Sequence, residues 1–433
     1  MAKRTFVAAG DAFITRRLPE GGYEGFQELQ ECIKRHDVRF LNLESTFHNY
    51  EGYPAEASGG TWAMSDPRTL DDVKDRYGFN IFTTANNHSG DYGEGGILAT
   101  IRHLQERDMV FSGTGKDLGD ASKPCYLETK DARVALISCA SSYPPAFRAG
   151  AQSANMVGRP GLSPLRFAKI FHLDPQHFEM AQAVAKASGV NAAQEKTVRN
   201  GYALPPKDGT LTIGPVWFVR DDRSWVETYP NEGDMRRIEA EIAEAKRQAD
   251  IVLVSIHNHA LDGAENTEVP RFLETFAHRC VDAGADAIIG HGPHELQGIE
   301  IYKNKLILYS IGNFIFETET VEFQPWDAYA NRGMPLDTKV GAYMDNRSGN
   351  GTKGYCVQWP IWNAVLPSWT VEDGVLTELK LYPIDLGMEK PRSQKGVPVL
   401  NGSHETLEYM QKLCEHYGTK IEIADGVGTV LLK

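Results

Sequence analysis

Short apolar runs alternate with amphipathic segments along the first third of the chain. Thr5–Ala9 is a run that stops at Gly10-Asp11, and Val38–Leu43 is a second that stops at Glu44. Asn80–Thr84 is a third, followed by Ala85-Asn86-Asn87-His88, and Arg133–Ser138 is a fourth. Apolar runs of this length, bounded by turn residues, predict buried strands. Between them, Phe26–Lys34 and Gly95–Arg107 repeat apolar residues at helical spacing. Ser65-Asp66-Pro67 supplies a cap and a first-turn proline for a helix running to about Tyr77.

The rhythm breaks between Cys139 and about Arg220. This stretch is rich in Pro, Gly, Ala and Ser and predicts an insertion, about 140–220, with helix near Asp174–Ala187. The alternation then resumes with an amphipathic helix Asp234–Gln248, a strand Ile251–Ile256 ending at His257, a helix Val269–Ala283 and a strand Ala287–Gly290 ending at His291. Gly298–Tyr302 and Lys305–Tyr309 read as a hairpin around Lys303-Asn304. Beyond Phe316 the chain is aromatic and irregular with one strand candidate, Thr377–Tyr382, so an irregular C-terminal extension is expected over about 317–433. Strand–helix alternation on both sides of an insertion predicts one layered α/β domain over 1–433. Ligands in such sheets bind beyond the carboxyl ends of the strands.

Those ends carry chemistry. Asp11, Glu44, Asn87, His257 and His291 each follow an apolar run. One such residue would be an ordinary turn former. Five in one chain, mixing carboxylates with imidazoles, suit one or two divalent ions of the zinc, manganese or iron type. Glu44 ends a buried-looking run, and a buried unpaired carboxylate is costly, so a cation beside it is the easier explanation. His291 and His294 flank Gly292-Pro293, a turn able to bring both rings to one point. His257 and His259, two apart, share a side of an extended chain, and His259 is expected to support the ligands or to contact substrate. His36, His103, His172, His177, His278, His404 and His416 lack such context and read as ordinary residues.

Composition narrows the partners. Of 433 residues, 45 are basic and 58 acidic, a net charge of -13. That balance argues against nucleic-acid binding through phosphate neutralisation and against an anionic membrane surface. No apolar run is long enough to span a bilayer, and residues 1–13 lack the apolar core of a signal peptide. Cys32, Cys125, Cys139, Cys280, Cys356 and Cys414 show no CxxC spacing and read as free thiols of a reducing, cytoplasmic compartment. Arg148, Arg159 and Arg166 in the insertion are either carboxylate- or phosphate-binding forks or ordinary solvated arginines. With Tyr143, and with Trp326 and Tyr329 further on, they make the insertion and the aromatic segment the expected seat of specificity for a small or peptide-like anionic substrate. The alternative role for both regions is to cover sheet edges or to build a homo-oligomer interface.

Gly10-Asp11, Asn42-Leu43-Glu44, Ala85-Asn86-Asn87-His88-Ser89-Gly90-Asp91-Tyr92-Gly93, Gly290-His291-Gly292-Pro293-His294 and Tyr309-Ser310-Ile311-Gly312-Asn313-Phe314 together resemble successive motifs of the CapA (capsule and poly-γ-glutamate synthesis) family of the calcineurin-like metallophosphatase superfamily. The resemblance covers residues 5–120 and 230–316. It implies a four-layer α/β/β/α sandwich and position-by-position roles: Asp11 as first metal ligand, Glu44 as the acidic residue bridging two ions, Asn87 as an amide-oxygen ligand, and His257, His291 and His294 as later ligands. His88 would be a general acid or transition-state stabiliser, with Asp91 orienting it or capping the helix that follows. Two positions depart from the pattern: Phe13 stands where a second ligand often follows the first aspartate, and Asn258-His259 stands where many relatives have Trp-Gly. The implied activity is metal-dependent hydrolysis of a peptide, γ-glutamyl or phosphoester bond. Metal-dependent epimerisation of a peptide by α-proton abstraction, and non-catalytic binding of a polymer as an accessory protein, are the alternatives.

Overall fold

Period-two alternation in three strands sets the layers. In Lys3–Phe13, Phe6 and Ala8 enter one apolar cluster while Val7 and Ala9 enter another. In Arg133–Ala140, Val134 and Leu136 join the first of these clusters, and Ala135, Ile137 and Cys139 point the other way. Ile251–His257 repeats this, with Ile251 and Leu253 inward and Val252, Val254 and Ile256 outward. The shared cluster therefore lies between two sheets. Each outer face is covered by helices: Phe26–Lys34 and Gly93–Gln105 contribute Leu29, Ile33 and Leu104 on one side, and Glu232–Gln248 and Arg271–Ala283 contribute Ile238, Ile242, Phe272 and Phe276 on the other. The computed structural model, which describes residues 3–432, thus has the expected four-layer α/β/β/α architecture. Burial on both faces explains why the strands read as unbroken apolar runs. Among the described residues, no helix is long and apolar enough to cross a membrane.

In the first sheet Lys3–Phe13 runs parallel to Val38–Leu43, which in turn runs parallel to Ile81–Thr83. In the second, Arg133–Ala140, Ile251–His257, Ala287–His291 and Lys305–Leu308 are successive parallel neighbours. The first strand continues past Ala9 to Phe13, so Asp11 lies within it rather than beyond its end. A kink aims the side chain: pairing slips between Ala9 and Asp11 against one neighbour, and between Asp11 and Ala12 against Asn313–Phe316. Gly10 permits the kink, since a Cβ there would lie 1.9 Å from the Gly312 carbonyl oxygen. That same carbonyl accepts from the Asp11 amide at 3.1 Å.

Three expectations need correction. The C-terminal region is not irregular throughout: Asn363–Glu372 and Val375–Asp385 form a long hairpin, and Asn363–Glu372 pairs antiparallel with the first strand. The insertion has its own four-stranded sheet, with Phe167–Leu173 between Val216–Arg220 and Trp225–Pro230, besides the expected helix at Pro175–Ser188. The helix expected from Ser65 begins at Thr69, and Asp72–Tyr77 is wound as a π-helix. The buried Asp72 within it accepts from Arg17 Nε at 2.6 Å and from the Leu18 amide at 2.9 Å.

Candidate metal centre

Parallel strands of both sheets end at one place. His257 and His291 are register partners, which sets their Nδ1 atoms 2.9 Å apart. Asp11 Oδ1, from the other sheet, lies 3.3 Å from His291 Nδ1 and 3.6 Å from His257 Nδ1. Glu44, His259 and His294 form a second group whose ligand atoms lie within 4.8 Å of one another, as do those of the first. His257 joins the two groups, with Nε2 at 3.7 Å from Glu44 Oε1 and 3.1 Å from His259 Nε2. Asp11, Glu44, His257 and His291 are fully buried.

Neighbouring polar groups fix these rings and carboxylates. Ser255 Oγ holds His291 Nε2 at 2.8 Å, leaving Nδ1 for the centre. Asn313 Oδ1 lies 2.8 Å from His294 Nδ1 and thereby presents Nε2 toward Glu44, 3.8 Å away. Asn313 is itself anchored, donating to the Ile361 carbonyl at 2.9 Å. Asn42 Nδ2 donates to Asp11 Oδ1 at 2.7 Å, and the Gly292 amide donates to Oδ2 at 2.9 Å. Such outer contacts select the tautomer and orientation of a metal ligand. Asn86 supports the turn that carries Asn87 and His88, donating to the Leu43 carbonyl at 2.8 Å and accepting from the His88 amide at 3.1 Å.

Electrostatics favour a cation here. Burial opposes the charge on Asp11, but hydrogen bonds from His291 and His294 and the neighbouring imidazoles outweigh it and hold the carboxyl well below its usual range. Burial, reinforced by the charges of Asp11 and Asp91, pushes Glu44 well above its own. Burial likewise drives His257 well down, and takes His259 down to about 3 with His294 adding to the effect. Imidazoles held neutral are competent ligands, and a carboxylate with no counter-charge is what a cation stabilises. Three oxygens fit a cation: Glu44 Oε1 and Oε2 and Asn87 Oδ1 are buried and have no hydrogen-bond partner among the described residues. Asn87 Nδ2 donates to the Gly59 carbonyl at 3.1 Å, so the amide is oriented with its oxygen free. Histidine and carboxylate donors together suit zinc, manganese or iron.

The centre opens onto a cavity of about 430 Å3 lined by Asn87, His88, Tyr143, His259, His294 and Arg347, among others. His88 Nδ1 lies 2.7 Å from Asp91 Oδ2, and Asp91, fully buried, also accepts from the Ala63 and Gly59 amides. Asp91 therefore orients His88 and does not cap the helix Gly93–Gln105, which has no side-chain cap. Phe13, at the departure noted above, packs edge-on against His88 with centroids 5.2 Å apart.

Several expected residues are placed otherwise. His259 sits among the ligand-type groups and also lines the cavity. Arg166 is bound to Asp234 at 2.8 Å, which occupies its fork. Arg148 donates to the Pro145 carbonyl and Arg159 to the Arg148 carbonyl, and neither lines the cavity. Tyr329 packs against Tyr343 in a separate apolar cluster, and Trp326 is exposed away from the cavity. Tyr143 does line it. Arg347, Tyr355 and the Ser58–Thr61 loop, which also line it, stand in no motif and carry no signal that sequence reasoning could use.

A four-layer α/β/β/α fold with a buried histidine–carboxylate centre at its strand ends defines the class. Within that class the chain belongs to the bacterial capsule synthesis protein family PGA_cap, whose model matches residues 5–318. It is 33% identical, over 99% of its length and 93% of the relative's, to the uncharacterized protein y4sH of Sinorhizobium fredii. It is 25% identical to the capsule biosynthesis protein CapA of Bacillus anthracis, over 73% of this chain and 60% of that one. A probable polyglutamine synthesis accessory protein of Mycobacterium tuberculosis is 31% identical over 32% of this chain and 36% of its own. Among solved structures, a hypothetical protein from Thermus thermophilus aligns with TM-score 0.41 at 12% identity, covering 89% of this chain and 99% of that one. That likeness is loose, and the architecture rests on the layers described above.

Proposed function

We propose that the chain is a hydrolase that uses one or two divalent ions, zinc, manganese or iron, to cleave a peptide, γ-glutamyl or phosphoester bond in an anionic substrate. The observation that supports this reading best is the pair of buried candidate ligand groups beside the His88–Asp91 pair, with three buried oxygens that have no partner among the described residues. Asp11, His257 and His291 would hold one ion; Glu44, His259 and His294, with Asn87 Oδ1, would hold the other. When bound, such ions polarise a carbonyl or phosphoryl oxygen and make water nucleophilic at neutral pH. The chain's own work is positioning and proton transfer. Asp91 accepts from His88 Nδ1, so Nε2 is the atom that hands a proton to the departing nitrogen or oxygen. Phe13 packs against the same ring and restricts water around it. A cytoplasmic location belongs to the proposal, supported by six cysteines that are all unpaired.

The test incubates metal-loaded protein in D2O with γ-glutamyl peptides, α-peptides and a phosphate monoester. Release of amine or phosphate is the expected result. Deuterium entering Cα without cleavage would make the chain an epimerase. Neither outcome, with metal retained, would replace the hydrolase by a polymer-binding accessory, the role that the Mycobacterium tuberculosis relative's name carries.

A further inference from the structure

A second cavity, of about 240 Å3, adjoins the metal cleft and shares Thr318, Arg347 and Tyr355 with it. Its charged lining is unbalanced. Arg332, Arg347 and Lys353 line it, and among the described residues none of the three forms an ion pair with a carboxylate. Glu319, also in the lining, is already engaged by Lys395 and by Arg392 at 3.5 Å. Nearby Asp345 is paired with Arg392 at 2.6 Å.

Aromatic rings, not carboxylates, hold the two guanidinium groups. Arg347 lies over Tyr355 at 5.8 Å, and Arg332 over Tyr343 at 5.5 Å. A face-on ring contact fixes a guanidinium while leaving its edge N–H donors available. One Arg347 donor goes to Thr61 Oγ1, tying the group to the Ser58–Thr61 loop that also lines the cleft. The bland alternative is three solvated surface cations. Against it, two of them are fixed by rings and all three converge on one cavity, in a chain whose net charge is -13. Such local concentration of one sign focuses attraction for the opposite sign.

We propose that this cavity is an anion-binding subsite of the cleft. It takes an oxyanion, carboxylate or phosphate, on the part of the substrate remote from the bond over the metal centre. Arg347 stands at the junction and Arg332 and Lys353 line the far part. The assignment rests on reading the neighbouring cleft as the substrate site, and it makes a second anionic group a requirement for tight binding.

Calorimetric titration of chelator-treated protein with glutarate and, separately, with inorganic phosphate tests the subsite without relying on turnover. At least one probe should bind, more weakly as salt is raised, and whichever binds more tightly identifies the oxyanion. Arg332→Gln and Lys353→Gln, both at exposed positions, should each weaken that binding about tenfold. Failure of wild-type protein to bind either probe, or equal binding by both variants, overturns the subsite. A chain that binds as predicted yet cleaves nothing would refute the hydrolase and leave the subsite standing.

Discussion

His257 and His291 face each other across neighbouring parallel strands with their Nδ1 atoms 2.9 Å apart, both within 3.6 Å of Asp11 Oδ1. Two imidazole nitrogens and a carboxylate converging where all three side chains are buried form a donor set that a cation would suit. Asp11→Ala and His291→Ala should therefore strip bound metal from the folded protein. Ser255→Ala, which removes only the partner of His291 Nε2, should weaken metal affinity by about 10–100-fold. Elemental analysis after dialysis against graded chelator measures both. Full occupancy in the two direct-ligand variants would show that the centre does not bind metal through these groups.

His88→Ala should behave differently. Its ring is fixed by Asp91 at 2.7 Å and opens to the cavity. Turnover should drop by about a hundred- to ten-thousand-fold, as for loss of a general acid, with metal content unchanged. Asp91→Asn should retain part of the rate. Metal loss in His88→Ala equal to that in Asn87→Ala would reassign the histidine as a ligand.

A methyl group at position 10 tests the kink. The Cβ of Gly10→Ala would lie 1.9 Å from the Gly312 oxygen, so two backbones must part. A loss of about 1–3 kcal/mol or more is expected from overpacking of this kind, read from urea denaturation. Metal affinity should fall with it, because the same kink points Asp11 at the histidines.

His48 is fully buried, its Nε2 has no partner among the described residues, and burial lowers its pKa to about 4. In the unfolded chain the ring titrates near about 6.5. The folded state thus binds this proton less readily, and the stability gained by keeping the ring neutral is lost as pH falls through that window. His48→Gln should flatten the dependence. Between about pH 7 and about pH 5 the wild type should lose about 2 kcal/mol more than the variant. Parallel unfolding curves at the two pH values decide the matter, and equal losses would count against a neutral buried His48.

Where an element is buried as its pattern assumes, the chain could be read almost to the residue, though the first strand runs on past Asp11. Val38–Leu43 and Phe26–Lys34 fall where the pattern puts them because both are buried in the way it assumes. Asn363–Glu372 could not be read this way, since Pro367 argues against a strand flanked on both sides. The structure resolves the conflict: pairing with the first strand ends at Val7–Ser368, one residue short of the proline. Arg166 stays open between an anion-binding fork and an ordinary arginine in one dimension, because its partner Asp234 lies on the helix Glu232–Gln248. Arg347 and Tyr355 reach the cleft only through folding of a segment with no periodic pattern.

The hairpin Asn363–Asp385 has a consequence for synthesis on the ribosome. The first strand waits for a neighbour made more than three hundred and sixty residues later, since Lys3 pairs with Glu372 and Val7 with Ser368. Until that hairpin emerges, residues 3–7 of the strand bearing Asp11 have an open flank. Contacts so distant in sequence slow folding and lengthen the time apolar edges stay exposed. Ribosome-bound chains would thus carry every candidate ligand, from Asp11 to His294, before the sheet that holds Asp11 is closed, and chaperone demand should concentrate in that interval.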